Sequence, residues 1–399
     1  MIQPVISKSG YTYIYSSYIN SILLSPSENE YVDIDMDKNA YEYYKQKDFF
    51  LRENNFFEKK IPNMEIEYDT SCIESELANL NQLLIEVTDE CNLSCKYCSY
   101  GDLYSNQDER NRGKQEFNNV KILIDYLISL WKSYRNISFN NTINIGFFGG
   151  EPFLEFDLIK KIVCYVKENW KDYKIRFSAT TNGTLINKEV EKWLIEQKSN
   201  FECVLSLDGT PEMQNCNRPY LNGEGSYEKV NIAFFVNNYT EPRAKMTLSK
   251  ETLPYLYEGV AHLHKIGFSP VADLAAAANY WDDEDFAIFE RELKKLVEFY
   301  CDNEQYEICR MLNYDLRRVF IGKDVPFQYC GAGKNMITYD VDGSWYPCMA
   351  LAPVSQGEKA EIFKNETFKT FRFSKDNLCK DCEYVRLCRN CYAANFNQT

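Results

Sequence analysis

Three cysteines lie within eight residues of one another in the stretch TDECNLSCKYCSY, as Cys91, Cys95 and Cys98. Cytosolic thiols are kept reduced, so clustered cysteines in such a chain indicate metal ligands rather than disulfides. A structural zinc site prefers four protein ligands, and the only histidines, His262 and His264, lie far along the chain. An iron-sulfur cluster held by three cysteines leaves one iron free to bind a small molecule. The spacing therefore favours an iron-sulfur centre whose fourth ligand is the substrate or cofactor.

A second set of cysteines lies near the C-terminus, at Cys330, Cys348, Cys379, Cys382, Cys388 and Cys391. The first two flank the stretch GAGKNMITYDVDGSWYP, in which Asp342-Gly343 signals a tight turn, so a hairpin is predicted to bring both thiols together. The other four give a CxxCx5CxxC run, which is typical of metal-binding loops. The segment GAGK lacks the rest of a phosphate-binding loop and follows no clear strand, so we exclude that function.

The elements that must position the first three cysteines form a repeating pattern. Short apolar runs rich in β-branched and aromatic residues alternate with amphipathic helical segments, and they span residues 83–88, 143–148, 175–180, 202–207, 244–248 and 269–274. This alternation predicts an α/β protein with a parallel sheet, either an open doubly wound sheet or a barrel. In both, the site lies at the carboxyl ends of the strands, where the cysteine loop begins.

The CxxxCxxC run with an aromatic residue, Tyr97, before its third cysteine resembles that of the radical S-adenosylmethionine (SAM) enzymes. The resemblance implies a partial (β/α)6 TIM-like barrel and a [4Fe-4S] cluster held by Cys91, Cys95 and Cys98. In that family the unique iron chelates the amino and carboxylate groups of SAM. One electron then cleaves SAM to methionine and a 5′-deoxyadenosyl radical, which removes a hydrogen atom from the substrate.

Residues after the second and third strands match further SAM-binding motifs of this family. Gly149, Gly150 and Glu151 resemble the GGEP motif, in which backbone carbonyls and the acid hold the SAM amino group. Thr181 and Asn182 resemble an element that faces the ligand. A plain Asn-Gly turn explains the latter pair equally well.

Residues after the fourth strand match the S-x-D-G segment of the family. The resemblance implies that Ser206 contacts the ribose and that Asp208 shapes the substrate end of the site. Arg218 would suit the SAM carboxylate, because a guanidinium group binds a carboxylate as a fork. A surface arginine is the alternative.

The C-terminal cysteines resemble the SPASM extension, which carries auxiliary [4Fe-4S] clusters. By that resemblance Cys330, Cys348 and Cys391 serve one cluster and Cys379, Cys382 and Cys388 another. Each group stops at three, and the chain ends at Thr399, eight residues after its last cysteine. Either the chain is cut short, or Cys301, Cys309 or a noncysteine ligand completes the second group. We therefore expect one or two auxiliary iron-sulfur clusters.

The first 80 residues differ from the rest and predict a small α+β unit. The stretches YTYIYSSYINSILLS and EYVDIDMD indicate strands, and the segment between residues 39 and 60 indicates helices. The unit resembles the winged-helix element that binds leader peptides by strand addition. The predicted domains are a peptide-recognition unit over 1–80, a radical SAM domain over 81–300 and a SPASM domain over 301–399.

Composition excludes several partners. The chain carries 59 acidic and 45 basic residues, for a net charge of -14, which is the wrong sign for binding nucleic acid. No apolar run approaches the roughly 20 residues that a membrane span needs. The N-terminus shows no signal peptide, so we expect a cytoplasmic protein.

SPASM enzymes mostly modify ribosomally made peptides or proteins. The YCxY and CxxCYAxN stretches here resemble those of maturases of cysteine-rich peptides, so the leading hypothesis is thioether formation. An open auxiliary iron would hold the peptide thiolate. The expected partners are a precursor peptide, with a leader and a Cys-containing core, and a low-potential electron donor such as flavodoxin or ferredoxin. The alternatives are a carbon-carbon crosslinking (cyclophane) or epimerising maturase, a sulfatase-maturating enzyme and a noncatalytic zinc-binding scaffold.

Overall fold

The computed structural model describes residues 2–6, 12–16, 21–24, 77–98, 113–133, 142–276, 280–314, 330–333, 335–364, 391 and 393. The predicted strand EYVDIDMD and the N-terminal helices lie outside these residues, and so do Cys379, Cys382 and Cys388.

Three strands near the N-terminus form a separate antiparallel sheet. They are β1 (Ile2–Ile6), β2 (Thr12–Ser16) and β3 (Ser21–Leu24), and they pair in the order β1-β2-β3. The strand character predicted for YTYIYSSYINSILLS is confirmed. The wider prediction of a winged-helix-like unit stays a prediction.

The strands predicted between residues 83 and 274 are all present, and they run parallel to one another. They are β4 (Gln82–Thr88), β5 (Thr142–Gly149), β6 (Lys174–Thr181), β7 (Phe201–Ser206), β8 (Arg243–Leu248) and β9 (Ser269–Leu274). Each strand pairs with the next one along the chain, so their carboxyl ends meet at one edge of the sheet.

Helices connect these strands, as the apolar periodicity predicted. They are α1 (Phe117–Ser133), α2 (Phe156–Asn169), α3 (Lys188–Gln197), α4 (Pro211–Asn217), α5 (Ile232–Asn238) and α6 (Leu256–Lys265), followed by α7 (Asp283–Asp302). On α1 and α2 the apolar stripe, including Val120, Ile124, Ile159 and Ile162, is fully buried against the sheet. None of the helices in the described part of the chain is long and apolar enough to span a membrane.

The two faces of the parallel strands have different environments. On β8, Ala244, Met246 and Leu248 are buried in the core between sheet and helices. Lys245, which alternates with them, points to the opposite face and is exposed. We call this second face the inner face of the sheet.

The predicted C-terminal hairpin is present as β10 (Met336–Tyr339) and β11 (Trp345–Tyr346). Gly343 at its turn has φ +79°, a conformation that favours glycine. Sequence analysis did not predict that β10 also pairs in parallel with β4. The hairpin therefore extends the main sheet to eight strands, in the order β11-β10-β4-β5-β6-β7-β8-β9. A short helix, α8 (Pro353–Gln356), and a small second apolar core follow it.

Candidate active site

The cysteine loop begins where β4 ends, at the carboxyl edge of the sheet. Cys91, Cys95 and Cys98 are partly buried, and none of them forms a disulfide. The amide of Leu93 donates a hydrogen bond to the Cys91 sulfur over 3.4 Å, and the amide of Cys98 donates to the Cys95 carbonyl over 3.1 Å. The loop is therefore folded tightly around its own thiols.

The cysteine loop is held against the segment that follows α4. Leu93 forms an antiparallel bridge with Tyr220. The amide of Ser94 donates to the Pro219 carbonyl over 2.8 Å, and the amide of Lys96 donates to the Asn217 carbonyl over 3.0 Å. Through these backbone bonds the position of the loop depends on residues 217–220, which include Arg218.

Asp208 links that segment to the cysteine loop through its side chain. Its buried carboxylate accepts a hydrogen bond from the Tyr97 hydroxyl. The guanidinium of Arg218 binds both carboxylate oxygens at 3.0 Å, and it also lies 5.2 Å from the centre of the Tyr97 ring. The amides of Thr247 and Asn217 complete the hydrogen bonding of the carboxylate, at 2.9 and 3.2 Å.

This network changes the interpretation of two residues. Asp208 is the internal counter-ion of Arg218, and its expected role in shaping the substrate end of the site stays a prediction. The Arg218 guanidinium, expected on the SAM carboxylate, donates from Nη2 to Asp208 and has its Nε atom 3.0 Å from the other carboxylate oxygen. A role for Arg218 in binding SAM stays a prediction.

The three thiols act on one another electrostatically. Burial raises the pKa of Cys95 to about 12, the nearby Arg218 opposes this shift, and Cys98 and Cys91 raise the pKa further. Three adjacent thiols beside a cation are ligands that an iron-sulfur cluster binds as thiolates, so the donor set fits a cluster. Among the residues that the structure describes, no group of His, Cys, Asp or Glu side chains is placed to hold a single metal ion.

Gly149 and Gly150 let the end of β5 pack directly on the backbone before Cys91. A Cβ atom at Gly149 would lie 1.9 Å from the Thr88 carbonyl oxygen, and one at Gly150 would lie 2.1 Å from the Glu90 carbonyl oxygen. The amide of Gly150 donates to the Thr88 carbonyl over 2.8 Å. These glycines were expected to let the backbone approach a bound ligand. In this structure they let the end of β5 approach the backbone that leads into the cysteine loop.

Glu151 joins the ends of β5 and β6. One oxygen of its buried carboxylate accepts from the Thr181 hydroxyl at 2.7 Å and from the Phe153 amide at 3.1 Å, and the other accepts from the Asn182 amide at 2.8 Å. Burial raises the pKa of Glu151, and these hydrogen bonds oppose the shift. Glu151 and Thr181 therefore fix the geometry of the sheet edge, whatever they contribute to SAM binding.

Asn182 ties the end of β6 to the cysteine loop. Its side-chain amide donates to Asn92 over 2.8 Å, and Asn92 in turn donates to the Thr184 hydroxyl over 2.8 Å. Gly183 has φ +76°, so the Asn-Gly turn is also real. Sequence reasoning missed Asn92 and Thr184, and only their closeness to Cys91 and to the Asn-Gly turn could have indicated them.

The predicted site residues thus meet at one edge of the sheet. Ser206 ends β7 and pairs in register with Lys245 of β8. Cys91, Gly149, Asn182 and Ser206 follow or end four neighbouring strands. The topology therefore places these motifs at the carboxyl edge of the sheet, where the sequence analysis expects the site, while the ligand that each residue contacts stays a prediction.

Cys330, Cys348 and Cys391 form a second thiol group. The amide of Gly333, in the turn before β10, donates to the Pro347 carbonyl over 3.1 Å, which brings the two flanks of the hairpin together as predicted. Burial raises the pKa of Cys348 to about 12, and Cys391 and Cys330 raise it further. Like the first group, these three reduced thiols suit an iron-sulfur cluster.

The two thiol groups lie at opposite ends of the β4–β10 pair. Met336 pairs with Gln82, so Cys330 and Cys348 lie near the amino end of β4, whereas the cysteine loop follows its carboxyl end. The seven residues of β4 correspond to about 20 Å at roughly 3.3 Å per residue. Two further cysteines, Cys301 and Cys309, were candidate ligands of the second auxiliary cluster. Cys309 is buried in the main core, whereas Cys301 is exposed.

Comparisons with known proteins agree with this geometry. The sequence model of the radical SAM superfamily matches residues 85–293, and that of the SPASM iron-sulfur cluster-binding domain matches residues 330–392. A cysteine-type anaerobic sulfatase-maturating enzyme of Clostridium perfringens is 27% identical over 338 residues, which are 78% of this chain and 88% of that protein. The radical SAM cyclopropyl synthase TigE of Paramaledivibacter caminithermalis is 26% identical over 184 residues, 44% of this chain and 37% of that enzyme.

Two further similarities complete the comparison. An uncharacterized protein of Methanocaldococcus jannaschii is 33% identical over 195 residues, and the match spans 48% of this chain and 62% of that protein. The solved structure of native anSMEcpe with bound AdoMet superposes with a TM-score of 0.59 at 24% identity, covering 77% of this chain and 88% of that one. That similarity confirms the fold, a partial barrel of parallel strands. Because the superfamily match covers more than half of the sequence, the chain belongs to the radical SAM superfamily, as an enzyme that uses SAM and carries a C-terminal SPASM iron-sulfur domain.

Proposed function

We propose that the protein modifies a ribosomally made precursor peptide and that it forms a thioether between a peptide cysteine and a carbon atom. Cys91, Cys95 and Cys98 would hold the SAM-binding [4Fe-4S] cluster. When bound, that cluster and SAM supply a 5′-deoxyadenosyl radical that removes a hydrogen atom from the peptide. Superfamily membership excludes the zinc-binding scaffold as the function of the whole chain.

The residues of the chain position and shield this chemistry. Asp208 holds Tyr97 and Arg218 in place beside Cys95, and Glu151 and Asn182 fix the edge of the sheet around the loop. These polar groups are buried and hydrogen-bonded to one another. A rigid, water-poor surround of this kind is what a reactive radical requires.

The observation that carries the thioether proposal is the group formed by Cys330, Cys348 and Cys391 at the far end of β4. Among the residues that the structure describes, these three thiols alone are grouped there, and three thiols leave one iron of an auxiliary four-iron cluster without a cysteine ligand. A peptide thiolate would bind that iron while the neighbouring part of the peptide lies near SAM, and the one electron released when the sulfur bonds to the carbon radical would pass to the auxiliary cluster. Neither carbon-carbon crosslinking nor epimerisation needs such a thiolate site.

Sulfatase maturation is a second candidate, and the comparisons favour it. Cysteine-type anaerobic sulfatase-maturating enzymes of Clostridium novyi and Clostridium perfringens match 79% and 78% of this chain, at 25% and 27% identity. One of the similar solved structures is described as anSMEcpe with AdoMet and the Kp18Cys peptide, at 22% identity. The two candidates share the hydrogen abstraction and differ in the substrate.

The N-terminal sheet supports recognition of a precursor peptide. Among the described strands β1 and β3 are the edges of the order β1-β2-β3, and an extended leader peptide can pair with such an edge. We further propose that a low-potential flavodoxin or ferredoxin supplies the electron.

The test is coexpression of the enzyme with a small cysteine-containing peptide encoded beside it, followed by mass spectrometry. We expect the peptide to lose two hydrogens and one iodoacetamide-reactive thiol. Loss of two hydrogens with all thiols still reactive would indicate a carbon-carbon crosslink, and an unchanged mass with inverted stereochemistry would indicate epimerisation. An unmodified peptide, together with a change in a coexpressed sulfatase, would favour the second candidate.

A further inference from the structure

Lys245 lies on the inner face of the sheet, beside the predicted cofactor contacts. It alternates along β8 with buried residues of the outer face, and it pairs in register with Ser206 on β7 and Val271 on β9. Its side chain is exposed to solvent. No motif of the sequence analysis included it.

Lys245 is exposed, yet protein groups surround it. Burial lowers the pKa of the Lys245 ammonium, Arg218 and Arg310 lower it as well, and Asp273 opposes them. Lys245 lies between β7 and β9 on the inner face of the partial barrel, so neighbouring strands flank its side chain while solvent still reaches it. We call the part of the inner face around Lys245, Asp273 and Arg310 the β8–β9 recess.

The other cations of the recess have their own counter-ions. Arg218 is paired with Asp208, and the Nη1 atom of Arg310 lies 3.5 Å from an Asp273 carboxylate oxygen. The Lys245 carbonyl accepts a hydrogen bond from the Leu207 amide, but its ammonium makes no hydrogen bond or ion pair with any residue in the described ranges. Its ammonium is thus an unpaired positive charge in a recess, in a chain whose net charge is -14.

The order of the strands assigns this recess to the substrate. The cysteine loop follows β4, and the other predicted cofactor contacts lie at the ends of β5, β6 and β7. The strands β8 and β9 lie beyond them, toward the opposite edge of the sheet from the hairpin. With the cofactors over β4 to β7, the remaining inner surface at β8 and β9 is free for the peptide.

We propose that Lys245 binds a carboxylate of the substrate peptide, either an Asp or Glu side chain or the C-terminus, and so selects peptides with an acidic group near the modified residue. This inference rests on the proposed function. An ammonium group that is partly desolvated and unpaired gains more from a carboxylate than an exposed surface lysine does.

Direct binding measurements test the inference without turnover. The probes are the capped dipeptides Ac-Glu-Cys-NH2 and Ac-Gln-Cys-NH2, titrated calorimetrically into anaerobic holoenzyme with SAM and no reductant. We expect the wild type to bind the Glu probe about tenfold more tightly than the Gln probe, as for a charge-assisted hydrogen bond. Lys245→Met should abolish this preference, and Lys245→Arg should retain it.

Two controls make the outcome decisive. Lys192→Met, on the outer helix α3, should leave the preference unchanged. The SAM dissociation constant should be the same in Lys245→Met and the wild type. A wild type without a Glu preference, or a preference that survives Lys245→Met, would overturn the inference. The inference would also be overturned if Lys245→Met bound SAM more weakly and kept the Glu preference, because Lys245 would then bind the carboxylate of SAM.

The inference and the proposed function fail in different experiments. If a precursor peptide is modified equally by the wild type and Lys245→Met, the inference is wrong and the proposed function stands. If the Glu preference depends on Lys245 but no peptide is ever modified, the proposed function is wrong.

Discussion

The hydroxyl of Tyr97 donates a hydrogen bond to the carboxylate of Asp208, and this contact adds a side-chain link to the backbone bonds that join the cysteine loop to residues 217–220. The same carboxylate neutralises Arg218, whose guanidinium lies over the Tyr97 ring. All three side chains are buried. The cation next to the predicted cluster ligands is thus held in place by an internal ion pair, so its removal should affect folding as well as the site.

We predict that Asp208→Asn lowers the free energy of unfolding of the apoprotein by about 3 kcal/mol, because it leaves Arg218 buried without a counter-charge. Adding Arg218→Met should recover part of that loss, since the unpaired charge is then removed. Chemical denaturation of the four proteins of this double-mutant cycle measures the coupling. Strictly additive effects would contradict the ion pair.

The triple change of Cys91, Cys95 and Cys98 to Ala should abolish formation of 5′-deoxyadenosine from SAM and dithionite by anaerobically reconstituted enzyme. These thiols are the proposed ligands of the SAM-binding cluster. Chromatography of the product is the measurement. The control is the change of the exposed Cys164 to Ala, which should retain the activity. Undiminished product from the triple variant would refute the assignment.

The triple change of Cys330, Cys348 and Cys391 to Ala should lower the bound iron by one cluster, roughly four atoms, because these thiols form one group. Iron and sulfide analysis after reconstitution measures the loss. Cys309→Ala is the matched control, since Cys309 lies in the main core and its amide donates to the Tyr300 hydroxyl. Loss of iron in Cys309→Ala would instead identify Cys309 as a ligand of an auxiliary cluster.

The repeating fold could be predicted from the sequence because each strand and helix carries its own apolar pattern. Val120, Ile124 and their neighbours repeat at helical spacing, and their burial follows from that spacing alone. The pairing of β10 with β4 could not be predicted in this way, because it joins segments about 250 residues apart through backbone hydrogen bonds. Local patterns carry no information on such a register.

In the candidate active site too, local sequence features could be predicted and contacts between distant residues could not. The cysteine loop and the motifs after the strands could be recognised from their residue types. The side chains to which these residues are hydrogen-bonded could not. Asp208 and Arg218 each have a plausible ligand when considered alone, and only the structure shows that they bind each other. Lys245 has no motif around it, and its importance depends on which face of β8 it occupies.

Gly150→Ala should disrupt the cysteine loop, because the new methyl group would lie 2.1 Å from the Glu90 carbonyl oxygen and backbone must move. We expect less iron to be incorporated on reconstitution and a lower free energy of unfolding, by more than the roughly 1 kcal/mol of an ordinary glycine substitution. Gly223→Ala is the control. Gly223 has φ +85° but no atom within 4 Å of an added Cβ, so that change should leave the bound iron unchanged.

His264 should make stability depend on pH. It is buried at the end of α6, stacked 4.4 Å from the Tyr306 ring and hydrogen-bonded to the Tyr300 hydroxyl, and burial lowers its pKa to about 4. In the unfolded chain histidine titrates near 6.5. Between these values the unfolded state binds more protons, so the stabilisation is complete above about pH 6.5 and is lost as the pH falls toward 4.

The corresponding variant is His264→Phe. It should unfold more easily at neutral pH, because the hydrogen bond to Tyr300 is lost, but its stability should fall by roughly 2 kcal/mol less than that of the wild type between pH 6.5 and 4. Denaturation of the apoprotein across this range gives both slopes. The chain has only two histidines, and burial lowers the pKa of His262 as well, though less than that of His264, so the matched control His262→Gln should lose only a small part of the slope. Parallel curves for His264→Phe and the wild type would mean that His264 is protonated as readily in the folded protein as in the unfolded chain.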